Sequence, residues 1–321
     1  MRFGLVPLGE AEGAVLAHSL AGLRKGAVLD ADALACLRLA GVAEVVAARL
    51  DPGDVAEDAA AAALARALCG PGLERRAAFT GRANLHATGP GVLAVDRAAI
   101  DAVNAVHPML TVATLPEWQR VAAGTMAATV KVIAYAVPGA ALDTAVARAA
   151  GALALRPPLV ARADLIVTTL PGAPGKHAPV LARLDRLGIA HRVVAVPHAE
   201  APLAAALAAS DAPLRLILTA SATSDPDDVG PAATRAAGGT VERFGMPVDP
   251  GNLLFLGAIG AAAVIGLPGC ARSPALNGAD WVLERVACGV PVTGADIAGM
   301  GVGGLLGEIP TRPQPRERRD K

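Results

Sequence analysis

The sequence predicts an α/β protein: an α+β N-terminal region, then a C-terminal domain built on a mainly parallel sheet in three α/β/α layers. Three observations predict it. From Leu159 onward, short apolar runs alternate with alanine-rich helical segments, the pattern of a parallel sheet covered on both faces. Between residues 73 and about 140, short apolar runs are separated by turn residues, with one helical segment among them. The chain has 321 residues, 53% of them hydrophobic, which is enough for more than one core.

The elements follow in order. Glu10 to Leu16 begins a short element, and residues 23–29 read as a β-turn-β entry around Gly26. Asp30 is an N-cap candidate, followed by apolar Leu34, Leu37 and Leu39 and a stop at Gly41. A strand is expected over 42–48, then an alanine-rich helix over 54–68, closed by Gly70-Pro71-Gly72. Short strands are expected over 79–86, 91–95, 110–115 and 127–133, with a helix over 98–106 and a turn at Gly124-Thr125-Met126. Pro138-Gly139 ends this region, 140–152 is helical, and Arg156-Pro157-Pro158 is a linker. The alternating part has strands over 165–169, 192–196, 214–219, 240–244, 252–256 and 263–267. Its helices are expected over 178–187, 201–209, 227–237 and 277–288. The expected organisation is an N-terminal α/β segment (1–70), an α+β domain (71–155), an α/β domain (156–310) and a polar tail (311–321).

Composition narrows the function. The 29 basic and 29 acidic residues leave no global basic field, and only 2% of residues are aromatic. Neither supports a nucleic-acid partner. Four scattered cysteines with no CxxC pair give neither a zinc site nor a disulfide framework, so a reducing cytoplasm is expected. Met1 to Pro7 lacks an apolar run of secretory length, so no signal peptide is expected. Residues 252–270 carry no charge, but their glycines and Pro268 fit two buried strands joined over 257–260 better than a membrane span.

Ligands of parallel sheets sit outside the carboxyl ends of the strands. Four loops fall there. They cover 168–176, 219–228, Met246-Pro247-Val248-Asp249-Pro250-Gly251-Asn252, and Gly266-Leu267-Pro268-Gly269-Cys270-Ala271-Arg272-Ser273. A strand that ends in Pro-Gly presents backbone N–H groups to anions. Two such loops indicate a phosphate- or pterin-binding cleft. The 219–228 loop carries four hydroxyls and three carboxylates before a helix. Its hydroxyls suit phosphate or pterin, and a carboxylate suits a hard cation such as Mg2+. Equally, Asp225 or Asp227 caps the helix. Gly251 and Gly269 either admit a ligand or permit tight turns. Arg272 is a phosphate clamp or a solvated surface residue. Cys270 is a nucleophile or soft ligand, or the commoner small buried thiol. The six histidines show no ligand spacing, and His198 alone falls on the cleft side.

The order of these loops resembles the molybdopterin-binding domain shared by molybdopterin adenylyltransferases, molybdopterin molybdenumtransferases and competence/damage-type proteins. In that family a hydroxyl- and Asp-rich loop resembles Ala220 to Asp228. A Pro-Gly-Lys-Pro loop resembles Pro250-Gly251-Asn252-Leu253, and Gly-Leu-Pro-Gly-Asn-Pro-x-Ser resembles Gly266 to Ser273. The resemblance covers residues 157 to about 310. It implies binding of molybdopterin, or its nucleotide form, late in molybdenum cofactor biosynthesis, with Mg2+ as a co-ligand. The ligand-binding set it implies is Thr169, Gly172, Ser221, Thr223, Pro250, Gly251, Asn252, Gly269, Cys270, Arg272 and Ser273. Asp225 and Asp228 are the implied catalytic and metal-binding carboxylates. A cytidylyltransferase or molybdoenzyme partner is implied too, as is a homo-oligomer. The departures are specific. The family's Thr-Gly-Asp-Glu loop is here Thr169-Leu170-Pro171-Gly172, without the acidic pair. The Gly-Gly of the family's Gly-Gly-x-Ser-type loop is lost from Ala220–Asp228, the lysine of the family's Pro-Gly-Lys is Asn252, and the asparagine of its Pro-Gly-Asn is Cys270. These changes favour binding over adenylyl transfer or metal insertion. A non-catalytic carrier for a nucleotidyltransferase or molybdoenzyme is one alternative. An unrelated phospholigand-binding α/β protein is the other.

Overall fold

The computed structural model describes residues 1–171 and 176–307; Gly172 and the polar tail lie outside the described residues. The chain divides into two compact units. One is Met1–Gly89 with Leu93–Leu155, the other Pro90–Val92 with the chain from Arg156 onward.

The first unit holds two hydrophobic clusters. The N-terminal one is built from β1 (Arg2–Pro7), β2 (Val15–Leu16), α1 (Ala31–Leu39) and β3 (Glu44–Arg49), with the strands in the order β1-β3-β2. Asp30 caps α1, accepting from the Ala33 N–H at 2.9 Å, and Leu34 and Leu37 point into the core with Val6, Leu16 and Val45. The second cluster involves β4 (Asp54–Ala56), α2 (Glu57–Leu68), β5 (Leu73–Arg75), β6 (Arg82–Ala87), β7 (Gly91–Val95) and α3 (Arg97–Asn104). It continues through β8 (Leu110–Thr114), β9 (Arg120–Val121), β10 (Met126–Val132), β11 (Ala136–Pro138), α4 (Gly139–Ala149) and β12 (Leu153–Arg156). Strands β5-β6-β10-β8 form an antiparallel sheet under α2. The helix expected from 54 begins at Glu57 instead. Asp54–Ala56 is drawn into a strand against Ala136–Pro138, and the Asp54 carboxylate holds the N-terminal ammonium at 2.7 Å.

The second unit carries the alternating pattern. Its elements are β13 (Arg162–Thr169), α5 (Ala178–Asp185), β14 (Ala190–Pro197), α6 (Glu200–Ala209), β15 (Leu214–Leu218) and α7 (Val229–Ala236). After them come β16 (Thr240–Phe244), β17 (Phe255–Ile259), β18 (Ala262–Gly266), α8 (Gly278–Ala287) and α9 (Gly294–Ala298). The six strands lie in the order β14-β13-β15-β18-β17-β16. All pairings from β14 to β18 are parallel, and only β17 runs against the rest. Alternate strand residues bury on opposite faces, as the period of two requires. Leu165, Val167, Leu216 and Ile265 pack with α5 and α8, while Ile166, Ile217, Val264 and Phe255 pack with α6 and α7. The domain is thus a three-layer α/β/α sandwich with a mostly parallel sheet.

One expected strand is displaced. Residues 252–256 were expected to be extended, but the strand is Phe255–Ile259, and Asn252 lies in a turn where its carbonyl accepts from the Met246 N–H. The expected joint at 257–260 is mostly strand, and the hairpin turns at Gly260-Ala261. Gly257 sits mid-strand because a Cβ there would run into the Thr240 carbonyl of β16. Gly266, the last residue of β18, likewise leaves room for the fully buried Phe255 ring.

A buried ion pair locks the layer that carries the last loop. Arg183 on α5 and Asp280 on α8 are each only 4% exposed, and Arg183 Nε donates to Asp280 Oδ1. The remaining guanidinium hydrogens go to the carbonyls of Pro179 and Ala271 (both 3.0 Å), Ser273 (3.0 Å) and Ala275 (2.9 Å). Asp280 in turn accepts from the Asn277 N–H at 2.8 Å, closing a capping box at the start of α8. Removing one partner of such a pair leaves a buried charge uncompensated. We expect Asp280→Ala to destabilise the second unit by about 3–5 kcal/mol. Arg162→Ala, which breaks an exposed pair with Asp211, costs no more than about 1 kcal/mol. Urea unfolding read from Trp281 on α8, in a Trp118→Phe background, separates the two; equal midpoints for both variants would contradict this account.

Candidate functional site

The described parts of the four sequence-derived loops lie at the carboxyl end of the sheet; residues 172–175 of the first lie outside the described residues. The loops follow β13, β15, β16 and β18, which run in the same direction. Their centre is one peptide group, Thr219–Ala220, immediately after β15. Its carbonyl accepts from Arg272 Nη2 at 2.6 Å, and its N–H donates to Thr168 Oγ1 at 2.7 Å. The loop after β18 and the end of β13 therefore grip the same peptide from opposite sides. Thr168 is buried, and its hydroxyl meets His198 Nδ1 at 2.8 Å. His198 is held in place by its own N–H, which donates to the Thr169 carbonyl at 3.0 Å. The hydroxyl of Thr169 donates to the Val196 carbonyl at 3.2 Å.

Arg272 is the chemically distinctive group. It is half-buried on the short 3-10 turn Gly269–Arg272, and the Thr219 carbonyl is its partner. No carboxylate pairs with it among the described residues. Burial without a counter-charge pulls its pKa below the ordinary guanidinium range. A guanidinium in that situation gains from an anion, and its planar fork matches phosphate oxygens. The Gly269 backbone lies beside it: a Cβ on Gly269 would sit 3.9 Å from Arg272 Nη1, with no closer atom. Gly269 is thus an open, exposed stretch of backbone next to the cation.

The glycine of the other Pro-Gly loop has a different cause. Gly251 is buried at φ +142°, and a Cβ there would meet the Gly278 N at 2.6 Å. The Pro250 carbonyl accepts from that Gly278 N–H at 2.8 Å, after a cis Asp249–Pro250 bond. Gly251 therefore docks the loop on the first turn of α8, leaving Asn252 exposed beyond it. Ser273 also serves the scaffold: its carbonyl accepts from Arg183 and its hydroxyl from the Ala275 N–H.

The acidic loop divides in two. Ser221 is exposed and free to face a ligand, whereas Thr223 is buried with its hydroxyl 3.2 Å from that of Thr219. Asp228 is the N-cap of α7, accepting from the Val229 N–H at 2.7 Å and from the Ser224 N–H at 3.0 Å. Asp225 accepts from the Asp227 N–H at 2.8 Å, and Asp227 pairs with Arg235. Among the described residues no three His, Cys, Asp or Glu side chains gather as a metal site. Each Asp228 oxygen already accepts one backbone N–H, so the structure gives no support for Mg2+ shared by Asp225 and Asp228. The cap of this helix is Asp228, not the Asp225 or Asp227 that the sequence offered for that role.

Cys270 is half-buried, and burial pushes its thiol above the ordinary range; Asp249 and Asp280 push the same way, against Arg183. That environment disfavours the thiolate and matches the small buried thiol of the alternative reading. A cavity of about 370 Å³ lies at the opposite, amino end of the sheet, between the starts of β16 and β18 and residues 286–292. Its walls are alanine, glycine, valine, leucine and Pro291, with Thr240 and Glu242 as the polar members. It lacks the cation that an acidic ligand requires, so the candidate site remains at the carboxyl end.

No family model matches the chain, and no curated protein matches it. Among solved structures, it is similar to the molybdopterin biosynthesis moea protein from Pyrococcus horikosii, with 13% identity and a TM-score of 0.30. The alignment covers 94% of this chain and 76% of that one. So loose a superposition carries no argument for function. The α/β architecture itself is seen directly in the sheet. No helix among the described residues is long and apolar enough to cross a membrane.

Sequence reading singled out Arg272 but missed Thr168, Thr219 and Arg183. The thiol chemistry is directly measurable. Because burial raises the Cys270 pKa, its thiolate forms only as pH climbs past the ordinary thiol range. We expect iodoacetamide to label exposed Cys36 first at neutral pH and Cys270 slowly until strongly alkaline pH. Mass-spectrometric site mapping checks this, and faster labelling of Cys270 at neutral pH would refute it.

Proposed function

We propose that the second unit binds molybdopterin, or its nucleotide form, through the phosphate, and that the protein acts late in molybdenum cofactor biosynthesis. The observation that carries this reading is Arg272: a half-buried cation with no carboxylate partner among the described residues, at the carboxyl end of a parallel sheet. The loop order resembling the molybdopterin-binding domain names the ligand class. Exposed Gly269 supplies backbone beside the cation, and Ser221 and Asn252 supply accessible polar groups on neighbouring loops. Thr169, Thr223, Pro250, Gly251, Cys270 and Ser273 shape the loops rather than reach outward.

A carrier role is favoured over metal-assisted transfer by one feature. Asp228, the carboxylate expected to do chemistry, is committed to capping α7, and Asp225 is partly committed to its own turn. The protein then holds the cofactor for a cytidylyltransferase or a molybdoenzyme. Release of AMP, or molybdenum loading, on a competent substrate would show catalysis instead.

The test is an anaerobic titration of the protein with molybdopterin. We expect binding at micromolar levels and a loss of roughly tenfold or more for Arg272→Gln, the size of one charge-assisted contact. No binding at these levels would overturn the reading. Equal affinity for the variant would remove Arg272 from it.

A further inference from the structure

The polar group on the far side of the Thr219–Ala220 peptide has no task in the reading above. Thr168 Oγ1 accepts from the Ala220 N–H, and the acceptor in reach of its own proton is His198 Nδ1 at 2.8 Å. A buried hydroxyl with one N–H already pointed at it gives its proton to the remaining acceptor. His198 is therefore held with Nδ1 accepting and the proton on Nε2. That Nε2–H has no partner among the described residues, yet it is not a buried orphan. The ring sits just past β14, half-exposed, at the same end of the sheet as Arg272. Arg272 and His198 thus flank one peptide, each anchored through it: Arg272 to its carbonyl, His198 through Thr168 to its N–H.

We propose that His198 is a second anion-binding residue of this site, its Nε2–H donating to an anionic oxygen of phosphate on the β13 side of the peptide, while Arg272 attracts phosphate on the β18 side. Thr168 is the positioning residue that fixes the tautomer. The inference rests on the reading of this end of the sheet as a phosphate site. It extends that reading to a second donor at the same end of the sheet, on the other side of the Thr219–Ala220 peptide from Arg272.

The experiment uses the whole chain labelled with 15N-histidine and 15N-arginine, at about pH 8.5, above the ordinary imidazole range. Inorganic phosphate is the probe. We expect the free protein to show His198 Nδ1 as the unprotonated nitrogen, and both His198 Nε2 and Arg272 Nε to shift on addition of phosphate. A structural histidine would leave Nε2 unmoved. His198→Ala should weaken phosphate binding roughly tenfold, as loss of a hydrogen bond to a charged group does. His198→Gln, which keeps an N–H donor, should recover part of that loss. Thr168→Val should free the ring to take either tautomer and weaken binding several-fold. If Arg272 responds to phosphate and His198 Nε2 does not, this inference fails while the phosphate site stands. If neither responds, the site itself is misread. A free-state Nδ1 signal that is protonated would overturn the Thr168 argument without any variant having to fold.

Discussion

The Arg183–Asp280 pair is the constraint on which the carboxyl end of the sheet in the second unit depends. A guanidinium buried on both sides requires all its hydrogens to be met. Here Asp280 and four carbonyls meet them, and three of those carbonyls belong to the loop after β18. That loop has little regular structure of its own beyond the 3-10 turn Gly269–Arg272. The arginine supplies what a helix or ladder would: a fixed partner for backbone groups that would otherwise wander. With the loop fixed, Arg272 is aimed at the Thr219 carbonyl. From there the order propagates through one peptide to Thr168 and His198.

This division of labour explains why two arginines at the same end of the sheet behave oppositely. Arg183 is fully paired and serves the scaffold. Arg272 has a carbonyl and no counter-charge among the described residues, an arrangement that is costly in a folded protein unless a ligand completes it. The two Pro-Gly loops divide in the same way. Gly251 is required by the close approach of Gly278, and Gly266 by the Phe255 ring. Gly269 alone of these three is open beside a cation.

Much of the fold was legible because its signals are local. Thr240–Phe244 carries the strand-favouring Thr240, Val241 and Phe244 between Gly238-Gly239 and Gly245, and Asp30 and Asn277 announce the starts of α1 and α8. The strand expected over 252–256 slipped because the run from Leu253 to Leu267 has no polar residue to set its phase. Arg272 was legible through its place in a motif. Arg183 was not: it sits in an ordinary helical pattern, and its partner lies 97 residues away. His198 was legible as the histidine on the cleft side, but its pairing with Thr168 was hidden, since nothing local says that a strand threonine will face a histidine thirty residues on. The carboxylates of 219–228 could not be sorted from sequence, because an Asp-rich run before a helix does not say which Asp caps it; the cap is Asp228.

The central claim is one of place: ligand binds at the carboxyl end of the sheet, around the Thr219–Ala220 peptide. Backbone hydrogen exchange with and without molybdopterin tests it most directly. The account predicts slowed exchange confined to residues 219–225 and 268–273. Protection confined to the amino-end cavity lined by Ala261–Ala263 and Val290, with those loops unchanged, would contradict it.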